Sequence, residues 1–223
     1  MAAGTQLAEL TAAVQDYLKA IYALESEGER VTTSALAGRM GVRAPSVTAM
    51  TKRLADLGLV ERAPYRGVVL TEAGRRGALE VVRHHRLLER YLVDRLGLSL
   101  DEVHAEAELL EHALSEELEA KIDAELGFPT HDPHGDPIPG PDLRLVPTEA
   151  TPLSALEAGA KATVSRVPDR DGDVLRYLTK LKLVPGSRLE VRESAPFGGP
   201  LTVRVGGADH AISRELAAQI SVS

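Results

Sequence analysis

The sequence predicts a mainly α-helical chain with a smaller β part: a winged helix-turn-helix first, two long helices next, and a small β-barrel last. Three observations carry this. Apolar residues recur at helical spacing in most of the first 126 residues, interrupted by a short β-like stretch at 59–70. Seven of the 13 prolines fall between residues 128 and 152, a density that no helix or strand tolerates. Beyond them, ATVSRV, SRLEVRE and LTVRVGG have strand character.

In chain order, residues 7–26 place Leu7, Leu10, Val14, Tyr17, Leu18, Ile21 and Leu24 on one helical face. Residues 33–40 form a short helix that ends at Gly41, and Pro45 suits the first turn of the next, 45–57, which Gly58 stops. Two short strands around Pro64-Tyr-Arg-Gly67 make a hairpin. Residues 72–96 and 100–126 read as two long helices, and the proline-rich stretch after them as a linker. A last helical piece lies near Val174–Leu181.

The order helix, helix, turn, helix, hairpin is that of a winged helix-turn-helix, whose second paired helix enters the major groove of DNA. Ser46, Thr48, Ala49, Thr51, Lys52 and Arg53, with Pro45 at the helix start, are small, hydroxylated or basic, which suits approach to phosphates and base edges. Arg39 and Arg43 near the turn, and Arg62 and Arg66 on the wing, are phosphate-contact candidates. Val47, Met50 and Leu54 belong to the core.

The net charge of −7 hides a partition. Residues 1–78 carry +2, 79–140 carry −10 and 141–223 carry +1. The acidic middle either solvates a helix face or holds a cation, because crowded carboxylates repel until something neutralises them. Within it, His104, Glu108, Glu111 and His112 lie on one stripe of a continuous helix, and His85 and Glu89 are spaced i, i+4 on the helix before. Imidazoles and carboxylates without sulfur suit Mn²⁺, and also Fe²⁺, Co²⁺ or Zn²⁺. With no cysteine there is no disulfide, zinc-thiolate or iron–sulfur chemistry. Aromatics at 3% argue against a single-strand or RNA stacking platform, leaving double-stranded DNA. No signal peptide and no membrane-length apolar run are visible, so a cytoplasmic location is expected.

VTTSALAGRMGVRAPSVTAMTKRLADLGLV, the wing YRGVVLTEAG, the helix RHHRLLERYL and the run EHALSEELE…GDPIPG together resemble the diphtheria toxin repressor family of metal-dependent transcriptional repressors. The resemblance covers nearly the whole chain. It implies a winged helix-turn-helix DNA-binding domain over 1–72, a helical metal-binding and dimerisation domain over 73–140, a proline-rich linker over 141–152 and an SH3-like β-barrel over 153–223. It implies a homodimeric repressor of metal homeostasis, not an enzyme, that binds operator DNA when loaded with metal. The first metal site would use Asp16, Glu108, Glu111 and His112. Carboxylates at 16 and 108 look like the manganese-sensing branch, with Fe²⁺ as the other physiological ion and Zn²⁺, Co²⁺ or Cd²⁺ as in-vitro substitutes. Lys19 is a departure: manganese regulators often have a further glutamate there, and the lysine argues against a two-manganese site. A second site would use His85, Glu89 and His104, completed from the linker by Asp132 and His134 or from the barrel by Asp169 and Asp173. The competing readings are a winged-helix regulator of an organic ligand and a metal-dependent hydrolase. The latter lacks both HExxH and HxxEH.

Overall fold

The computed structural model describes residues 10–63, 67–146, 151–169 and 171–223. They divide into two compact units. The first takes the chain to His85, with 110–120 and 139–144; the second takes 86–109, 121–138 and 145–223.

In the first unit, α1 (Ala12–Ser26), α2 (Thr33–Met40) and α3 (Ala44–Asp56) precede a hairpin of β1 (Val60–Ala63) and β2 (Gly67–Leu70). Thr32 caps α2 by accepting from the Ala35 N–H at 3.1 Å, and Gly41 ends it with φ +63°. Val14, Leu18 and Ile21 of α1 meet Leu36, Val47 and Leu54 in one buried core. α3 therefore lends the core only its inner stripe and leaves the opposite face free. At the wing base, Val68 N–H donates to the Val31 carbonyl at 3.1 Å. Gly67 is required there, because a Cβ would stand 2.2 Å from the Val31 carbonyl oxygen and its φ is +85°.

α4 (Glu72–Leu96) has the expected bounds, and the division between the units falls within it. The helix expected over 100–126 is instead broken into α5 (Val103–Leu110), a 3₁₀ turn (Glu111–Ala113) and α6 (Glu116–Glu125). Leu114 turns extended, with ψ 119°. Ser115 then caps α6, its Oγ accepting from the Leu118 N–H at 3.3 Å, and Glu116, Glu117 and Glu119 fill the positive first turn. The break separates the expected four-residue stripe into two pairs.

In the second unit, α7 (Gly172–Lys180) and α8 (Arg214–Gln219) accompany a six-stranded antiparallel sheet in the order β3-β8-β4-β5-β6-β7. Its strands are β3 (Thr151–Pro152), β4 (Lys161–Arg166), β5 (Arg188–Ser194), β6 (Leu201–Val205), β7 (Ala208–Ile212) and β8 (Ser221–Val222). Alternate residues Leu189, Val191, Leu201, Val203 and Val205 point into one core. Among the described residues β3 and β7 do not pair, so the barrel-like sheet stays open.

The proline-rich stretch forms no helix or regular strand between Leu126 and Val146, yet much of it is packed. Asp132, Pro133, His134, Asp136, Ile138 and Pro139 are buried. Asp132 builds the turn: its Oδ1 accepts from the N–H groups of His134 and Asp136, both at 2.9 Å. Gly135 lets the turn press on β4, since a Cβ there would meet the Ser165 carbonyl oxygen at 1.9 Å. Arg86 clamps the turn from α4, donating to the Pro137 carbonyl at 2.6 Å and to Asp136 at 3.3 Å.

Candidate metal centres and nucleic-acid interface

Asp16, Glu111 and His112 converge in the first unit, each offering a ligand atom within 4.8 Å of the others. Asp16 comes from α1. Glu111 and His112 come from the 3₁₀ turn, and Glu111 is only 1% exposed. His112 Nδ1 lies 2.6 Å from the Gln15 side-chain oxygen, which only accepts, so the Nδ1 proton is fixed there. Gln15 is itself held by donating to the Leu10 carbonyl at 3.1 Å. His112 Nε2 then faces Asp16 Oδ1 at 2.9 Å and Glu111 Oε1 at 3.6 Å. A neutral imidazole in that tautomer aims a lone pair at two carboxylates, which is a ligand set for a cation. Sequence reasoning missed Gln15; its signal was a polar residue on the apolar face of α1.

Glu108 is the fourth ligand expected at this site. The helix ends at Leu110, and Glu108 remains on α5 in the second unit, with Oε1 3.7 Å from His104 Nε2. His85, expected with Glu89, lies in the first unit with Nδ1 2.6 Å from Glu111 Oε2. Lys19 joins it, donating to both Glu111 oxygens at 2.8 Å. His84, beside them, has both ring nitrogens against acceptors: the Glu111 carbonyl at 3.2 Å and Glu119 Oε2 at 2.8 Å. Burial alone pushes its pKa down, but the Glu119 carboxylate outweighs it and the net shift is upward. Burial likewise pushes Glu119 up, and His84 with Arg83 bring it below the usual carboxylate range.

Glu89, Asp132 and His134 converge in the second unit and are buried on all sides. His134 Nε2 donates to the Leu100 carbonyl at 2.9 Å, which directs Nδ1 at Glu89 Oε2, 3.6 Å away. Among the described residues, His134 Nδ1 and Asp132 Oδ2 are buried without a hydrogen bond. Such orphans inside a protein are costly unless something fills the space between them. Burial and the Glu89 and Asp136 carboxylates push Asp132 up to about 7. Burial would push His134 down, but Glu89 raises it to about 9. The same donor set could hold a divalent cation, whose charge would then take the place of these protons. His104 extends the group, its Nδ1 3.2 Å from Glu89 Oε1. Asp169 and Asp173 join none of the three-ligand groups among the described residues. Asp173 is instead exposed and paired with Arg176.

Arg43, just before α3, and Pro45, Ser46, Thr48, Ala49, Lys52 and Arg53 on it are exposed, and Thr51 partly so. Pro45, Ala49 and Lys52 line an open groove of about 650 Å³ against Arg62 and Val68 of the wing. Thr48 and Thr51 bond back to helix carbonyls, both at 3.1 Å. The Arg39 guanidinium pairs with Glu27. Arg66 lies outside the described residues.

Three family models cover the chain in order: the iron-dependent repressor N-terminal DNA-binding domain at 9–68, its metal-binding and dimerisation domain at 71–140, and a FeoA domain at 151–223. The iron-dependent repressor IdeR of Mycobacterium leprae is 34% identical over 96% of this chain and 98% of its own length. Among solved structures, a manganese-dependent transcriptional repressor in complex with manganese superposes with a TM-score of 0.85 at 44% identity, covering 94% of this chain and 98% of that one. The repressor ScaR with bound Cd²⁺ gives 0.81 at 31% identity, over 94% of this chain and 98% of that one. Among the described residues no helix is long and apolar enough to cross a membrane. With a winged reading domain, candidate divalent-cation ligand sets and relatives that match it almost end to end, the chain belongs to the iron-dependent repressor family of metal-dependent, DNA-binding transcriptional repressors, which are not enzymes.

Proposed function

We propose that this chain is a manganese-responsive repressor of metal homeostasis in the cytoplasm, with Fe²⁺ as the other ion its ligands accept. Asp16, Glu111 and His112 form its regulatory site, and Glu89, Asp132 and His134, with His104 beside them, form a second site. The oxygen and imidazole donors, with no sulfur in either set, support the harder ions. The manganese complex of the 44% identical repressor supports manganese first.

One observation carries the reading: the Asp16–Glu111–His112 set joins segments more than ninety residues apart in the chain. A divalent ion held there would tie Asp16 to Glu111 and His112, adding to the ammonium with which Lys19 already meets Glu111. Asp16 thereby fixes α1, and α1 shares its core with α3. In the homodimer each α3 must meet its half-site about 34 Å from its mate's, so a fixed α1 lowers the entropy cost of binding operator DNA. The domain division supporting this is 1–72 for DNA, 73–140 for metal and dimer contacts, 141–152 as connector and 153–223 as the small sheet domain.

A gel-shift titration tests it. Operator binding should need Mn²⁺ and disappear in EDTA, and Asp16→Ala should shift the Mn²⁺ requirement at least about tenfold upward, the loss of one charged ligand. Unchanged metal dependence in Asp16→Ala refutes the role of α1.

A further inference from the structure

The Glu111 carboxylate is shared between two halves of one pocket. On one side are Asp16 Oδ1 and His112 Nε2, 2.9 Å apart. On the other are His85 Nδ1, 2.6 Å from Oε2, and Lys19 Nζ, 2.8 Å from both oxygens. Lys19 Nζ also stands 3.5 Å from His85 Nδ1. Asp16 and Lys19 are i, i+3 on α1, so one helix face presents a carboxylate to one half and an ammonium to the other.

We propose that Lys19 is a built-in cation. Its ammonium occupies the His85 side of Glu111 permanently, so the regulatory site takes a single divalent ion on the Asp16–His112 side. This rests on the proposed function above, since it concerns the same site.

Lone-pair accounting leads there. A carboxylate offers about four lone-pair positions over its two oxygens. Lys19 takes one on each oxygen and His85 takes the other on Oε2. What remains is one position on Oε1, the oxygen nearest His112 Nε2 at 3.6 Å. Glu111 therefore has room for one metal bond, through Oε1. Charge gives the same answer. A second dication beside an ammonium on one carboxylate would leave the pocket with a large positive excess, whereas Lys19 with one dication leaves a small one. The lysine also explains how Glu111 stays buried when no metal is bound: it has a charged partner of its own.

The experiment is equilibrium dialysis of the full-length chain against Mn²⁺, with metal analysis, for wild type, Lys19→Arg, Lys19→Met and Lys19→Glu. Reading differences from wild type cancels ions held at other sites. Lys19→Arg keeps a cation and should match the wild-type stoichiometry. Lys19→Met removes the repelling charge, so the regulatory ion should bind at least about tenfold more tightly with no added ion. Lys19→Glu should take up one additional Mn²⁺ per chain. Unchanged affinity in Lys19→Met, or wild-type stoichiometry in Lys19→Glu, overturns the proposal. Melting in EDTA covers the risk of poor folding: Lys19→Met should lose stability without metal and regain it with Mn²⁺, and a loss that Mn²⁺ does not restore counts against it. The site itself is tested separately. If Asp16→Ala retains all the Mn²⁺ of wild type, the regulatory site is wrong; if Asp16→Ala loses an ion and the Lys19 variants behave as wild type, only the built-in cation is wrong.

Discussion

Asp132→Asn should make the metal-free protein more stable and its response to manganese weaker. Asp132 Oδ1 accepts two backbone N–H groups, and an asparagine oxygen can keep both. Its amide nitrogen then falls where Oδ2 was, facing the Glu89 and His134 cluster, and donates where the carboxylate repelled. Keeping a carboxyl ionised when its pKa has risen from 3.8 to about 7 costs on the order of 4 kcal/mol, at about 1.4 kcal/mol per unit. Arg86 Nε, 3.6 Å from Oδ2, loses an ionic neighbour in the variant. Taking about half of the cost as recoverable gives ~2 kcal/mol, or a rise of about 4–8 °C in Tm for a chain of this size. The sign has a pH signature. A carboxyl with a raised folded pKa favours the native state below its unfolded value and penalises it as pH climbs. The advantage of Asp132→Asn should therefore be absent near pH 3.8, grow upward and level off above about 7. Thermal melts of both proteins in EDTA and in Mn²⁺, across that range, read it directly. If the variant melts below wild type in EDTA above pH 7 and gains as much from Mn²⁺, the orphaned atoms do not form a cation site.

Three further outcomes are expected. Gly135→Ala should lower Tm in both metal conditions, by about 3 kcal/mol of stability, because the new Cβ meets the Ser165 carbonyl at 1.9 Å with φ at +96°; a neutral effect in denaturant melts would mean the turn does not rest on β4. Lys52→Ala should weaken binding to all duplexes alike and reduce the slope of log affinity against log salt by about one, measured by fluorescence anisotropy; loss of sequence preference with an unchanged slope would assign Lys52 to a base instead. The His84–Glu119 pair should stabilise most between pH 4.5 and 6.5, since the raised His84 contribution is complete below 6.5 and fades as pH rises through its folded value, while the lowered Glu119 contribution is complete above 4.5 and fades as pH falls. The Tm difference between wild type and Glu119→Gln should peak in that window, and a difference that grows at higher pH would contradict the assignment.

What the sequence made legible was governed by local rules. Thr33–Met40 and Glu72–Leu96 have the bounds that periodicity and flanking residues predict, because caps, glycines and apolar spacing act within a few residues. In the last domain β4, β5 and β6 fall where strand character is read, whereas β3, β7 and β8 are not read from the sequence. The candidate ligands are grouped by the fold differently from the way helical spacing alone arranges them. His104, Glu108, Glu111 and His112 form one stripe only if the helix is continuous, and the 3₁₀ turn sends Glu111 and His112 to Asp16 while Glu108 stays with His104. The signal was present: Ser115 followed by Glu116 and Glu117 is a helix start, which a reading based on apolar spacing alone passes over.

The proline-rich stretch shows the opposite limit. Proline density matches the lack of helix and regular strand between Leu126 and Val146, but it misses β3 at Thr151–Pro152, which pairs with β8 at the sheet edge, and it says nothing about burial, which depends on partners far along the chain. HDPHGDP becomes a rigid turn because Asp132 folds back on its own N–H groups, Gly135 admits the Ser165 carbonyl, and Arg86 grips Asp136. The first of these is local and readable, since an aspartate followed two residues on by a backbone donor is a turn former. The other two are tertiary. They put His134 where the Leu100 carbonyl selects its tautomer, so the coordinating nitrogen of this site is chosen by a main-chain oxygen 34 residues earlier that no side-chain motif encodes.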